Sequence, residues 1–137
     1  TGVIYGIDPW RSEPCLEGLE QEHRDWWSNN VDLHKIHNEC VDTIWRFGIQ
    51  DHAVLVQARS QDCHGIIPVC DTLYIDGNHS EIASCRDVNL YLPKLKQNGY
   101  LWFDDVDWKS TKPAIQLIDK QCVLHTDGGN YRLYVKK

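Results

Sequence analysis

Apolar positions along this chain follow two periods, and the switches between them mark out the elements. Residues 2–8 (GVIYGID) form a β-branched and aromatic run that stops on Asp-Pro, the pattern of a strand followed by a turn. Over 32–47, Leu33, Ile36, Cys40, Ile44 and Phe47 recur at spacings of three and four, and Val41 and Trp45 widen the face. With Gly48 as its stop, that stretch predicts an amphipathic helix. Residues 52–57 (HAVLVQ) and 71–76 (DTLYID) are further strand patterns. Ser80 is placed to cap a helix whose stripe is Ile82, Cys85, Asn89, Leu92 and Leu95, with Glu81 near the positive end of its dipole. Asn98-Gly99 predicts a turn, and 100–104 (YLWFD) a fourth strand. Residues 111–120 suit a helix with Pro113 in its first turn. The runs flanking DGGN (127–130) predict an antiparallel hairpin. The polar stretch 10–30 lacks a period and predicts a long loop with one helical turn at most.

Strands alternating with helices imply βαβ crossovers, hence an α/β fold with a mainly parallel sheet and a terminal hairpin. At 137 residues, one domain spanning 1–137 is expected. The net charge of −6 argues against a nucleic-acid partner, because phosphate binding rests on basic patches. No run approaches the roughly 18 apolar residues of a membrane span. Six cysteines without a C-x-x-C or a regular framework read as reduced thiols, and with them a cytoplasmic location is expected.

Candidate chemistry lies where the strand patterns end. Ligands of open parallel sheets bind outside the carboxyl ends of the strands, and Asp8, Asp76, Asp104 and Asp105 stand at such ends. Joined by one crossover helix, the third and fourth strands are expected to be neighbours, which gathers Asp76 with Asp104 and Asp105. Crowded carboxylates raise one another's pKa unless a cation neutralises them. Hard oxygen donors favour Mg²⁺, Ca²⁺ or Mn²⁺, with Mg²⁺ the first expectation. His79, three residues after Asp76, faces the same crevice, and its imidazole is a side chain suited to a general base. His34 and His37 form an H-x-x-H without a carboxylate partner and read as surface residues.

In this order, YGIDPW, VQARSQD, LYIDGNHS, LPKLKQNGYLWFDDVDW and the closing hairpin resemble consecutive blocks of class I S-adenosylmethionine-dependent methyltransferases. The likeness is to small-molecule O-methyltransferases that use a divalent metal, of the catechol and the macrocin or sugar types. The resemblance implies a Rossmann-like sheet, with S-adenosylmethionine and a metal as cofactors. It makes Asp8 the acid on the ribose hydroxyls, lays Trp10 against the adenine and sets Ser60 and Gln61 at the adenine edge. Asp76, Asp104 and Asp105 become metal ligands, with Asp76 counted on the cofactor side as well. His79 takes the place of the catechol type's lysine base.

Two departures stand out. Where the macrocin type carries a second aspartate two residues after the first metal ligand, this chain has Asn78, which leaves the proton to His79. The family's opening strand and glycine-rich turn have no counterpart, so the first strand is expected to be missing from the chain. The expected activity is O-methylation of a small-molecule hydroxyl, with a sugar or glycan as acceptor and Trp26, Trp27, Trp102 and Trp108 as candidate walls. Asp107 reads either as a support for the acids or as a surface acid. Two alternatives are a degenerate, non-catalytic binding module, which the absent glycine turn favours, and a metal-dependent hydrolase, which leaves Asp8 and Ser60-Gln61 unexplained.

Overall fold

The structure is a computed structural model, and it describes residues 2–137. The backbone gathers into two compact units, one ending at Cys63 and one running from His64 to Lys137.

In the first unit β1 (Ile4–Ile7) pairs in parallel with β2 (Ala53–Val56), with Ile7 opposite Val56. Between them lie a single turn, α1 (Ser12–Cys15), and two helices, α2 (Gln21–Asn30) and α3 (Leu33–Arg46). A short helix, α4 (Ser60–Cys63), follows β2. Helix α3 begins where expected, because the Asp32 side chain accepts from the Lys35 N–H. It ends through Phe47 into Gly48, whose φ of 64° is a left-handed stop. Only part of the expected stripe turns inward: Leu33, His37, Cys40, Val41 and Ile44 are half-buried, while Ile36, Trp45 and Phe47 are exposed. The loop expected over 10–30 is largely helical instead. Half-buried Trp27 and Val31 share a small recess with Cys15, Leu16 and Leu33, so a few packing contacts fix a helix that has no continuous apolar stripe.

In the second unit β3 (Cys70–Ile75), β4 (Leu95–Phe103), β5 (Cys122–Asp127) and β6 (Arg132–Lys136) form one sheet in the order β3-β4-β6-β5. The β3–β4 pair is parallel and joined through α5 (Glu81–Tyr91), whereas β4–β6 and β5–β6 are antiparallel. Helix α6 (Lys112–Gln121) precedes the hairpin. Among the described residues, the expected single, mostly parallel sheet is thus a parallel pair and a mixed four-stranded sheet. Leu101, Phe103 and Tyr134 from the sheet are fully buried with Val88 and Leu92 of the α5 segment and Ala114 and Ile118 of α6. Each large side chain there contributes about 1.5–3 kcal/mol by leaving water.

Helix α5 presents a different face from the one its stripe suggested. Ile82 is 75% exposed, and Ala83, Ser84, Val88 and Tyr91 are the buried positions. Small Ala83 and Ser84 occupy the inward side, and the Ser80 hydroxyl caps the Ala83 N–H as expected. Asn98-Gly99 is no loop either. Strand β4 runs through both residues, with Asn98 at φ 63° and a register shift against β3 between Cys70 and Thr72. A Cβ on Gly99 would sit 2.8 Å from the carbonyl oxygens of Asp71 and Lys96, so glycine is what lets the strands close here.

Candidate functional site

Register assembles the site. Ile75 lies opposite Phe103, and the Asp104 N–H donates to the Ile75 carbonyl at 3.1 Å, so the ladder carries Asp76 and Asp104 out side by side at the carboxyl ends of β3 and β4. The chain then turns sharply. Asp105 has φ 50°, a left-handed conformation uncommon for a residue with a side chain. Buried Thr111 secures that turn, its hydroxyl lying 2.8 Å from the Asp105 carbonyl and 3.0 Å from that of Trp108. The Val106 N–H donates to the Asn130 carbonyl of the hairpin at 2.8 Å.

On the β3 side, Gly77 and Asn78 carry the chain from Asp76 into α5. The Asn78 side-chain oxygen accepts from the Ser80 N–H at 2.8 Å, which shapes the turn that aims His79 back at the acids. Its Nε2 lies 2.7 Å from Asp105 Oδ2 and 3.7 Å from Asp76 Oδ1. That nitrogen is covered from solvent and makes no well-aligned hydrogen bond. Trp108 packs against the imidazole, ring centres 4.8 Å apart.

The two carboxyls beside His79 are pushed in opposite directions. The imidazole, helped by the Tyr74 hydroxyl, holds Asp76 below the usual range against the effect of burial. Burial raises Asp105, His79 opposes, and the charges of Asp104, Asp76 and Asp107 add to the rise. Crowded acids of unequal proton affinity around one imidazole suit both cation binding and proton transfer.

Oxygens of Asp76 and Asp105 and a nitrogen of His79 lie within 4.8 Å of one another. Two carboxylate oxygens and a covered imidazole nitrogen without an aligned partner fit a small divalent cation. Asp104 is engaged differently. Its Oδ1 accepts from the Asp105 N–H at 3.0 Å and its Oδ2 from the Tyr74 hydroxyl at 2.9 Å. Thus the structure brings Asp76, Asp105 and His79 together directly, with Asp104 alongside as their support. Tyr74 and Thr111 were not singled out from sequence, although Tyr74 sits two residues before Asp76, on the same side of the strand; Trp108 was, but as a wall for the acceptor and not as a partner of His79.

The expected cofactor-side residues lie in the first unit. Asp8 follows β1, and burial raises its carboxyl against the opposing effects of the Trp10 N–H, which donates to Oδ1, and of His37. That bond closes a tight turn in which Trp10 has φ 43°. The Trp10 ring packs edge-on against His37, centres 4.7 Å apart, so His37 serves as a packing partner and is half-buried. Ser60 and Gln61 open α4, directly after β2, and both are half-buried. Of the candidate walls, Trp102 stacks on Tyr131 at 4.2 Å, Trp26 and Trp27 pack edge-to-face, and Trp108 packs against the His79 imidazole. None of the six cysteines, all among the described residues, is paired in a disulfide. Among the described residues, no helix is long and apolar enough to cross a membrane.

Comparison with known proteins bears on this arrangement. Over 138 aligned residues the chain is 26% identical to an uncharacterised protein, R132, of Acanthamoeba polyphaga mimivirus, covering 96% of this chain and 53% of that protein. The fold is similar to that of the O-methyltransferase NovP, with a TM-score of 0.72 at 13% identity, over 98% of this chain and 60% of NovP. It is also similar to CalS11, a TDP-rhamnose 3′-O-methyltransferase of calicheamicin biosynthesis, with a TM-score of 0.57 at 15% identity, over 97% of this chain and 58% of CalS11. The chain therefore spans between half and three-fifths of the length of these relatives. Residues 1–106 match the family model described as a methyltransferase domain, and the chain belongs to that family.

Proposed function

We propose that the protein is an S-adenosylmethionine-dependent O-methyltransferase that acts on a hydroxyl of a small molecule, a sugar or glycan, with help from a divalent cation. One observation carries the reading: in a chain of the methyltransferase family, Asp76, Asp105 and His79 converge within 4.8 Å at the carboxyl ends of adjacent parallel strands. The O-methyltransferase neighbours in structure agree with oxygen as the acceptor atom.

When bound, S-adenosylmethionine supplies an electrophilic methyl group, and a divalent cation such as Mg²⁺ supplies Lewis acidity that eases loss of the acceptor's proton. Asp76 and Asp105 are the carboxylates that hold the cation, while Asp104 buttresses both. His79 takes the hydroxyl proton at its imidazole, oriented by Asp105 and by the face of Trp108. Asp8 binds the ribose hydroxyls, for which two carboxylate oxygens are a matched pair of acceptors. Trp10, Ser60 and Gln61 surround the adenine.

A second assignment of His79 has its own support. Nε2 lies as close to the carboxylates as a shared ligand set requires, so it can complete that set instead of accepting the proton. One nitrogen does not do both at once.

Calorimetric titration of the full chain with S-adenosylhomocysteine, followed by mass analysis of hydroxylated sugars incubated with S-adenosylmethionine and Mg²⁺, tests the proposal. Saturable binding and a product heavier by one methylene, lost on chelation, is the expected result. Absence of any saturable heat would leave a binding module in its place.

A further inference from the structure

Tyr74 touches acids from both strand ends through its hydroxyl. Its hydroxyl oxygen lies 3.1 Å from Asp76 Oδ2 and 2.9 Å from Asp104 Oδ2. The reach follows from register. Tyr74 and Asp76 alternate onto one side of β3, and Tyr74 is paired across the ladder with Trp102, two residues before Asp104. The ring is braced edge-on by Trp102, centres 6.1 Å apart, and 56% of the residue remains exposed. Tyr74 is therefore no part of the buried core.

The consequence for Asp76 is a division of labour between its oxygens. Oδ2 is turned to the Tyr74 hydroxyl, and Oδ1 is the atom that faces His79. Asp104 is fixed in the same way, Oδ2 on Tyr74 and Oδ1 on the Asp105 N–H. Carboxylates that ligate a cation hold their geometry through hydrogen bonds to the oxygen that does not ligate. Without such a donor, the Asp76 carboxylate keeps only its contact with His79, and the Asp104 side chain loses its tie to β3.

We infer that Tyr74 is a positioning residue of the cation site: its hydroxyl clamps Asp76 and Asp104 so that Asp76 Oδ1 is presented beside Asp105 and His79. This rests on the proposed cation-assisted reading and adds to it a residue that touches neither cation nor substrate.

Titration of the full chain with Mn²⁺, followed by the paramagnetic resonance of the free ion, tests the inference without any turnover. Wild type should bind one ion, and Asp105→Asn should abolish that binding. Tyr74→Phe keeps the ring against Trp102 and removes only the hydroxyl. It should weaken Mn²⁺ binding about tenfold with an unchanged melting temperature. Tyr74→Leu should weaken binding to the same extent, because the hydroxyl and not the ring does the clamping. Mn²⁺ affinity equal to wild type in Tyr74→Phe overturns the role of Tyr74 and leaves the cation reading standing, as does a loss confined to Tyr74→Leu. A Tyr74→Phe chain that does not fold overturns it too, since an exposed orienting hydroxyl is dispensable for folding. No Mn²⁺ binding by wild type removes the cation reading and the clamp together.

Discussion

His79 Nε2 stands 2.7 Å from Asp105 Oδ2, joining the start of helix α5 to the turn after strand β4. The contact brings a strained turn, a half-buried imidazole and a crowded acid into one unit, and the two assignments of His79 predict different behaviour for it. Replacement by glutamine separates them. As the base, His79→Gln should lower kcat by about 10²–10⁴-fold, with Mn²⁺ affinity retained. A His79→Gln protein that loses Mn²⁺ affinity by tenfold or more assigns the imidazole to the cation instead.

Asp105 should cost the fold stability at neutral pH. Its carboxyl is raised by burial and by three neighbouring acids, so the folded chain holds this proton more tightly than the unfolded chain does. Between the ordinary carboxylate value and the raised one, the folded state binds more protons, and stability falls as pH rises through that window. Asp105→Asn should therefore melt higher than wild type at pH 7 in the presence of a chelator, with the advantage gone near pH 3. A lower melting temperature at pH 7 would show that the His79 contact outweighs the crowding.

Cys15 offers a second, opposite corner of the pH range. Burial first, and then the Asp8 charge, push its thiol up from 9.0 to about 11. Below pH 9 both states carry the proton and stability is unaffected. From pH 9 to about 11 only the unfolded chain releases it, so stability declines across that interval. Cys15→Ala should flatten the decline in thermal melts. Cys70, Cys85 and Cys122 are raised as well, chiefly by burial, so alkylation by iodoacetamide at pH 7 should be slow for all four. Rapid modification of any of them in the native protein contradicts this.

Gly99 sets how closely β4 approaches β3. A methyl group there meets two backbone carbonyls at 2.8 Å and Leu95 Cδ1 at 2.7 Å, and backbone yields less readily than a side chain. Gly99→Ala should destabilise the fold by about 1–3 kcal/mol, measured by urea unfolding. Because the same register carries Asp76 to Asp104, Mn²⁺ affinity should fall with it. An unchanged urea midpoint would mean that the strands part without cost.

Asp8 should govern the nucleoside end of the cofactor. Asp8→Asn keeps a side-chain oxygen for the Trp10 N–H and removes the charge. It should weaken S-adenosylhomocysteine binding about tenfold or more, the scale of a hydrogen bond to a charged group, while leaving Mn²⁺ binding intact. Equal affinity in calorimetry would dissociate Asp8 from the cofactor.

Local pattern alone determined much of this protein. Period-two runs located β3 and the ends from which Asp76 and Asp104 emerge, the apolar spacing over 32–47 and the Ser80 cap placed α3 and α5, and the DGGN stretch marked the hairpin. These signals are carried by residues a few positions apart, so no partner from elsewhere in the chain was needed to read them. Tertiary structure decided the rest. It turned α5 so that Ala83 and Val88 face inward instead of Ile82, made helix of 21–30 and kept Asn98-Gly99 inside a strand. It also bound Asp104 to Tyr74 and drew His79 to Asp105. Each of those outcomes depends on side chains distant in sequence competing for the same space or the same proton, and strand register, which settles that competition, exists only once the sheet has formed.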